Sequence, residues 1–146
     1  MRHLLFLSVI SICFSACKKG SDNLNSPFQL LTNGSWRLIE ETWNPSNTGW
    51  VDSYPGIPTC LKDNTVTYRS DLVSVDDEGQ TKCNSSDPQT TLGSWRLYAG
   101  DTKYSVTRNG TTTEYEIVEL TPQTLKVYFK ISNAPFVAEY KATLVH

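Results

Sequence analysis

The chain has 146 residues, with 13 Lys and Arg against 15 Asp and Glu, for a net charge of −2 at pH 7. That balance, without a basic stripe, excludes the electrostatic footprint of a nucleic-acid binder, and the length fits one domain with a single packed core. The two histidines, His3 and His146, stand near the two ends, so neither a His-based triad nor a His metal site is expected.

The first stretch, MRHLLFLSVISICFSAC, begins with Arg2 and continues into an apolar run from Leu4 to Phe14. Such a run is too short to cross a bilayer, which takes about 20 residues, but it suits the apolar region of a secretory leader. Ser15 and Ala16 directly before Cys17 resemble the bacterial lipobox, with Phe14 in place of the usual Leu. The expected organisation is a signal peptide over residues 1–16, then Cys17 as the lipidated first residue with a flexible polar tether to residue 30. A β domain over residues 31–146 follows. The mature form then has 130 residues and, without Arg2, 12 basic against 15 acidic residues.

Loss of Cys13 with the leader and lipidation of Cys17 leave Cys60 and Cys83 as an even pair in an exported chain. Export implies an oxidising compartment, so a disulfide is the expected state. Closing that loop contributes roughly 3 kcal/mol on the chain-entropy estimate. Two cysteines with no histidine nearby do not make a zinc site.

From Leu31 onward the pattern is one of short strands. Gly34–Leu38 opens the first; Asn44–Pro58, rich in Pro and Gly, is a long connection with one strand near Trp50–Tyr54. Asn64–Ser70 and Leu72–Val75 read as strands, Asp76-Asp77-Glu78-Gly79 as the turn after them, and Ser85–Gln89 as a loop. Lys103–Arg108 and Thr111–Leu120 flank Asn109-Gly110, a strong hairpin signal. In the second of these, Tyr115 and Ile117 share a face, but Val118 and Leu120 fall on the other, which predicts a bulge near Val118. Thr124–Ile131 and Phe136–Val145 alternate apolar and polar residues, the sign of half-buried strands. The inferred inward set is Trp36, Leu38, Val66, Tyr68, Trp95, Leu97, Tyr104, Val106, Tyr115, Ile117, Leu125, Val127, Phe129, Tyr140 and Leu144. The fold class is all-β: a single antiparallel barrel of eight or nine strands, or a strongly curled sheet, closure being the way to remove exposed edges.

The pentapeptide GSWRL occurs at Gly34–Leu38 and again at Gly93–Leu97. Its flanks do not align, so it reads as one strand-start device used twice, not a duplicated domain. Each copy drops a Trp (Trp36, Trp95) into the core and turns an Arg outward, with the glycine allowing close approach or a sharp entry. With the leader, the Cys60–Tyr68 segment, Cys83, the Tyr115–Thr121 segment and Thr124–Ile131, the pattern resembles the lipocalin-like domain of bacterial lipoproteins. The resemblance implies a lipocalin-like barrel and a role in binding a small molecule or a partner. Lipocalins usually cover the first Trp with an Arg from the last strand; here that strand offers only Lys141.

No catalytic set stands out. Glu114 and Glu116 read as a solvated face, and Asp76–Glu78 as a turn; no metal site or cofactor is expected, and the chain reads as a non-enzyme. Glu40 follows Trp36 and Leu38 on their face and could orient a ligand. Trp43, Trp50 and Tyr54, in or beside the long connection, are the candidate ligand-binding aromatics at a barrel mouth. The expected role is a lipid-anchored cell-envelope protein, on the periplasmic face or the surface of an outer membrane, that binds a small apolar or amphipathic ligand. An interaction module with a filled core, contacting a protein or glycan, is the alternative.

Overall fold

The computed structural model describes residues 26–133 and 136–146. The expected leader, Cys17 and most of the tether lie outside the described residues. Among the described residues, nine antiparallel strands form one sheet: β1 (Ser35–Pro45), β2 (Val51–Asp52), β3 (Thr65–Tyr68), β4 (Val73–Asp77), β5 (Thr90–Tyr98), β6 (Lys103–Arg108), β7 (Thr111–Leu120), β8 (Thr124–Asn133) and β9 (Phe136–Val145). Their order is β2-β1-β3-β4-β5-β6-β7-β8-β9, and β1 pairs again with β9. β1 is long enough to do this because β3 takes its first residues, Ser35–Arg37, while β9 runs along it from Arg37 to Pro45. The result is a closed eight-stranded barrel with β2 appended to β1 at Thr42 and Trp43. Closure of this kind leaves few edges for another chain to pair with.

Period-2 alternation places the inward set as the sequence implies. Trp36, Tyr68, Trp95, Tyr104, Val106, Leu125 and Val127 are buried, and Leu38, Val66, Leu97, Tyr115, Ile117, Phe129 and Leu144 pack against them. Two bulges adjust the phase. One lies between Ile117 and Glu119, so Val118 is 64% exposed and Leu120 returns to the core, as the break in alternation predicts. The other lies between Leu38 and Glu40. The β6–β7 turn has Asn109 at φ 47° and Gly110 at φ 77°, the two positive values that a type I′ hairpin needs.

One end of the barrel is closed by α1 (Pro27–Leu31), a segment expected to be largely tether. Ser26 caps it by accepting the Gln29 N–H, Pro27 starts it, and Leu30 and Leu31 are buried, the usual cap-and-proline opening. Packing of the domain therefore includes Pro27–Leu31. Phe28 stacks on Trp95 with ring centroids 5.5 Å apart.

The two GSWRL copies share one device. Trp36 Nε1 donates to the Leu31 carbonyl at 3.0 Å, and Trp95 Nε1 to the Arg69 carbonyl at 2.9 Å, so each buried indole keeps a partner for its N–H. The glycines differ. Gly34 stands before β1 at φ +115°, a sharp entry, whereas Gly93 lies inside β5 and allows close approach. The second copy is thus mid-strand and not at a strand start. Trp36 is covered by the His146 ring, 3.9 Å between centroids, with His146 Nδ1 3.0 Å from the Ser35 carbonyl. His146, directly after β9, thus covers Trp36 where that strand offers no Arg.

Candidate functional site

The opposite end is the mouth. β1 leaves the barrel there through Pro45, and the chain returns over it as a 3-10 turn (Tyr54–Gly56) and α2 (Thr59–Lys62). Two fastenings hold this cover. Cys60 and Cys83 form the expected disulfide, with Cα atoms 5.2 Å apart, tying α2 to the loop before β5. Asp63 accepts the N–H groups of Gln80 and Thr81, both at 2.9 Å, and the Thr81 hydroxyl at 2.8 Å. Those bonds, the Thr81 hydroxyl foremost, hold its carboxyl below its ordinary pKa.

Beneath the cover lies an open groove of about 530 Å³ whose walls include Leu38, Glu41, Trp43, Ile57, Leu61 and Tyr140. Further in is a cavity of about 190 Å³, with Leu38 and Glu41 also on its wall. Groove and cavity therefore share these two wall residues. The cavity has an apolar side, including Val66, Val127, Phe129, Ala142 and Leu144, and a polar side of Tyr68, Asp76, Tyr104, Arg108 and Tyr115.

One row of cross-strand partners crosses the inner surface. Tyr104 faces Tyr115, Tyr115 faces Phe129, Phe129 faces Tyr140, and Tyr140 faces Trp43. The successive ring centroids are 4.8, 5.0, 4.9 and 6.4 Å apart. Aromatic pairs at such distances are favourable beyond their buried area, so strand register alone builds a continuous aromatic wall from deep in the barrel to its mouth.

Beside the Tyr104–Tyr115 end of this wall stands an ion pair that the sequence did not announce. Arg108 donates through Nε and Nη2 to the two carboxylate oxygens of Asp76, the Nη2 contact being 2.6 Å. Asp76 was expected in a turn with Asp77 and Glu78, but β4 continues through Asp77, and alternation turns Asp76 inward beside Val66. Gly93 makes room for Arg108, whose Cγ would lie 3.0 Å from a Cβ at that position. Burial opposes the charge on Arg108, but bonding to Asp76 prevails and its pKa is raised. Burial also raises the Tyr68, Tyr104 and Tyr115 phenols, which stay neutral, with Tyr68 donating to the Tyr104 hydroxyl at 3.3 Å.

The expected site residues separate. Glu40 does not line the interior with Trp36 and Leu38. The bulge after Leu38 turns it outward and exposed, and Glu41, opposite Ala142, takes the inward position. Glu41 accepts a 2.9 Å hydrogen bond from the Ser53 hydroxyl of the cover. Trp43 is half-buried on the aromatic wall. Trp50 is 41% exposed, with the Lys141 ammonium 4.0 Å from its ring centre; Lys141 lies on the outer side of β9, so Trp50 does not join Trp43. Tyr54 belongs to the cover, its hydroxyl 3.5 Å from the Leu38 carbonyl. Among the described residues, no group of three or more His, Cys, Asp or Glu is placed to hold a metal ion. Glu114 and Glu116 lie on the outer face, Glu116 3.7 Å from Lys103.

Residues 32–127 match the family model of the lipocalin-like domain. The chain belongs to that family. Among solved structures, this lipocalin-like chain is similar to bovine odorant-binding protein as a deswapped triple mutant, at 12% identity and a TM-score of 0.46, over 80% of this chain and 74% of that one. The complex of bovine odorant-binding protein with a selenium-containing odorant gives 12% identity and a TM-score of 0.45, over 79% and 71% of the two chains. No curated protein matches the chain. An eight-stranded lipocalin-like barrel is an architecture suited to holding one small ligand.

Proposed function

We propose that this lipocalin-like protein is a lipid-anchored, non-enzymatic binder of a small amphipathic molecule in the cell envelope. The cavity carries the reading: an apolar and aromatic interior with a few convergent polar groups, reached through a groove, is the form that ligand sites take. The cavity also argues against the alternative of an interaction module with a filled core. The ligand's apolar body lies along Val127, Phe129, Tyr140 and Trp43, and its polar end meets Glu41 or the Tyr68–Tyr104–Tyr115 side. Trp43, in the groove, reports on occupancy.

The anchor part of the proposal rests on the apolar leader and on Ser15-Ala16-Cys17. Intrinsic tryptophan fluorescence against a panel of lipids, sterols and hydrophobic dyes tests the binding. The expected result is a saturable response that is kept in Trp50→Phe and lost in Ala142→Phe, whose ring enters the cavity between Glu41 and Val127. A flat response across the panel refutes it. Cys17→Ser is expected to leave the membrane fraction; retention there overturns the anchor.

A further inference from the structure

Among the described residues, the ionised groups on the cavity wall are Glu41, Asp76 and Arg108. Arg108 and Asp76 compensate each other's charge through two hydrogen bonds, and the phenols of Tyr68, Tyr104 and Tyr115 are neutral. Glu41 is the remaining charge. Among the described residues no Lys, Arg or His nitrogen lies within 4.0 Å of its carboxylate, and its partner is the neutral Ser53 hydroxyl. Among the described residues, Glu41 is thus the one charged side chain on the cavity wall without an ionic partner, and it lies on the wall shared by groove and cavity.

We infer that the barrel selects a small organic cation, an amine with an aromatic or short aliphatic body, and that Glu41 is its counter-ion. This rests on the small-ligand reading above and gives the ligand its chemical class. A carboxylate ligand fits poorly. The one interior guanidinium is already engaged by Asp76, and a second anion would face Glu41 and Asp76 with no free cation, an arrangement that like charges penalise. An ammonium beside Glu41 has the opposite sign and can donate to tyrosine hydroxyls on the polar side. The aromatic wall receives the body of the ligand. Because Tyr104 stacks on Tyr115 and Phe129 on Tyr140 at interplanar angles of 11° and 9°, much of their ring faces is already engaged, and the head is read by the carboxylate. Size agrees: the cavity measures about 190 Å³, and an apolar protein cavity of about 150 Å³ holds a benzene ring. That accommodates an arylalkylamine, and a longer body would extend into the groove.

The test is calorimetric titration of the purified full chain with 2-phenylethylammonium, 2-phenylethanol and phenylacetate, which share a body and differ in charge. The expected result is that the cation binds about tenfold or more tightly than the alcohol or the acid, the scale of a partly buried charge pair. Glu41→Gln, which keeps the shape and an acceptor for Ser53, brings the cation to about the affinity that the alcohol has for the same variant. Glu40→Gln removes a neighbouring charge from the outer face and leaves the preference intact. Phenylacetate binding as well as the cation, or an undiminished preference in Glu41→Gln, overturns the inference. Should Glu41→Gln fail to fold, the order of the three ligands on the wild-type chain decides. Absence of all three with retention of a hydrophobic dye overturns the cation assignment and leaves the small-ligand reading standing. Absence of the dye as well overturns both.

Discussion

Gly93→Ala probes how tightly the two sides of the barrel are joined at the second GSWRL. A Cβ there would stand 2.6 Å from the Thr107 carbonyl oxygen, 2.7 Å from Ser74 Oγ and 3.0 Å from Arg108 Cγ. The serine and arginine atoms can rotate away, but the Thr107 oxygen belongs to β6, the next strand of the ladder, and can retreat only if the β5–β6 spacing opens. Overpacking of this kind costs about 1–3 kcal/mol. Replacing glycine also narrows the unfolded ensemble, which returns about 0.4–1 kcal/mol. The net expectation is a destabilisation of about 1–2 kcal/mol. For a domain of this size, at about 3–5 °C per kcal/mol, that lowers Tm by about 3–10 °C. Urea and thermal unfolding followed by tryptophan fluorescence measure it directly. Gly56→Ala is the control, since nothing lies within 4 Å of its Cβ position and its φ is not positive; it is expected to be neutral or slightly stabilising. A Gly93→Ala protein as stable as wild type, with Gly56→Ala unchanged beside it, would refute the close approach of β4, β5 and β6 on which the Asp76–Arg108 geometry rests.

Ser74 Oγ is fully buried with no hydrogen-bond partner, so Ser74→Ala is expected to stabilise the fold by about 1 kcal/mol and to restore part of the Gly93→Ala loss in the double variant; a lower urea midpoint for the single variant contradicts this. Reduction of Cys60–Cys83 is expected to cost roughly 3 kcal/mol, read as a drop in the urea midpoint with reductant, and an unmoved midpoint would show that the hydrogen bonds of Asp63 alone hold the loop. Glu139, bonded to the Lys130 ammonium and then to the Tyr128 hydroxyl, has its pKa lowered from 4.5 to about 2. A carboxyl lowered in this way stabilises the folded state above its unfolded pKa and loses that contribution as pH falls through the folded one. The Tm advantage of wild type over Glu139→Gln should therefore be full near neutral pH and close between pH 4.5 and 2; a gap independent of pH would contradict the pairing.

Much of the barrel was legible because half-buried strands write their burial into every second residue. Leu125, Val127 and Phe129 against Lys126 and Lys130 leave one consistent phase, and the break at Val118 betrayed its bulge. The bulge after Leu38 left no such trace. Glu40 and Glu41 are the same residue type, so a shift by one position looks identical in the sequence while exchanging which carboxylate faces the cavity. Asp76 and Arg108 are 32 residues apart, and only the joint register of β4, β5 and β6 brings them together. Asp76 in an acidic run had a sufficient local explanation as a turn residue, and Arg108 one as the last residue of a strand before Asn109-Gly110. His146 was discounted as terminal, yet closure of β9 on β1 lays it over Trp36. The Ser26–Pro27 start of α1 carried a helix signal, but a five-residue helix is too short to show periodicity. Trp50 looked like a companion of Trp43 because composition cannot tell which side of a strand edge a connecting loop follows.

The most direct test of a ligand-binding interior is the location of the ligand. Intermolecular NOEs from the tightest member of the panel to assigned methyl groups supply it. The account predicts NOEs to Val66, Val127, Ala142 and Leu144, which surround the cavity. NOEs confined to the exposed methyls of Val118, Leu92 and Leu72 would place the ligand on the outside of the barrel and contradict it.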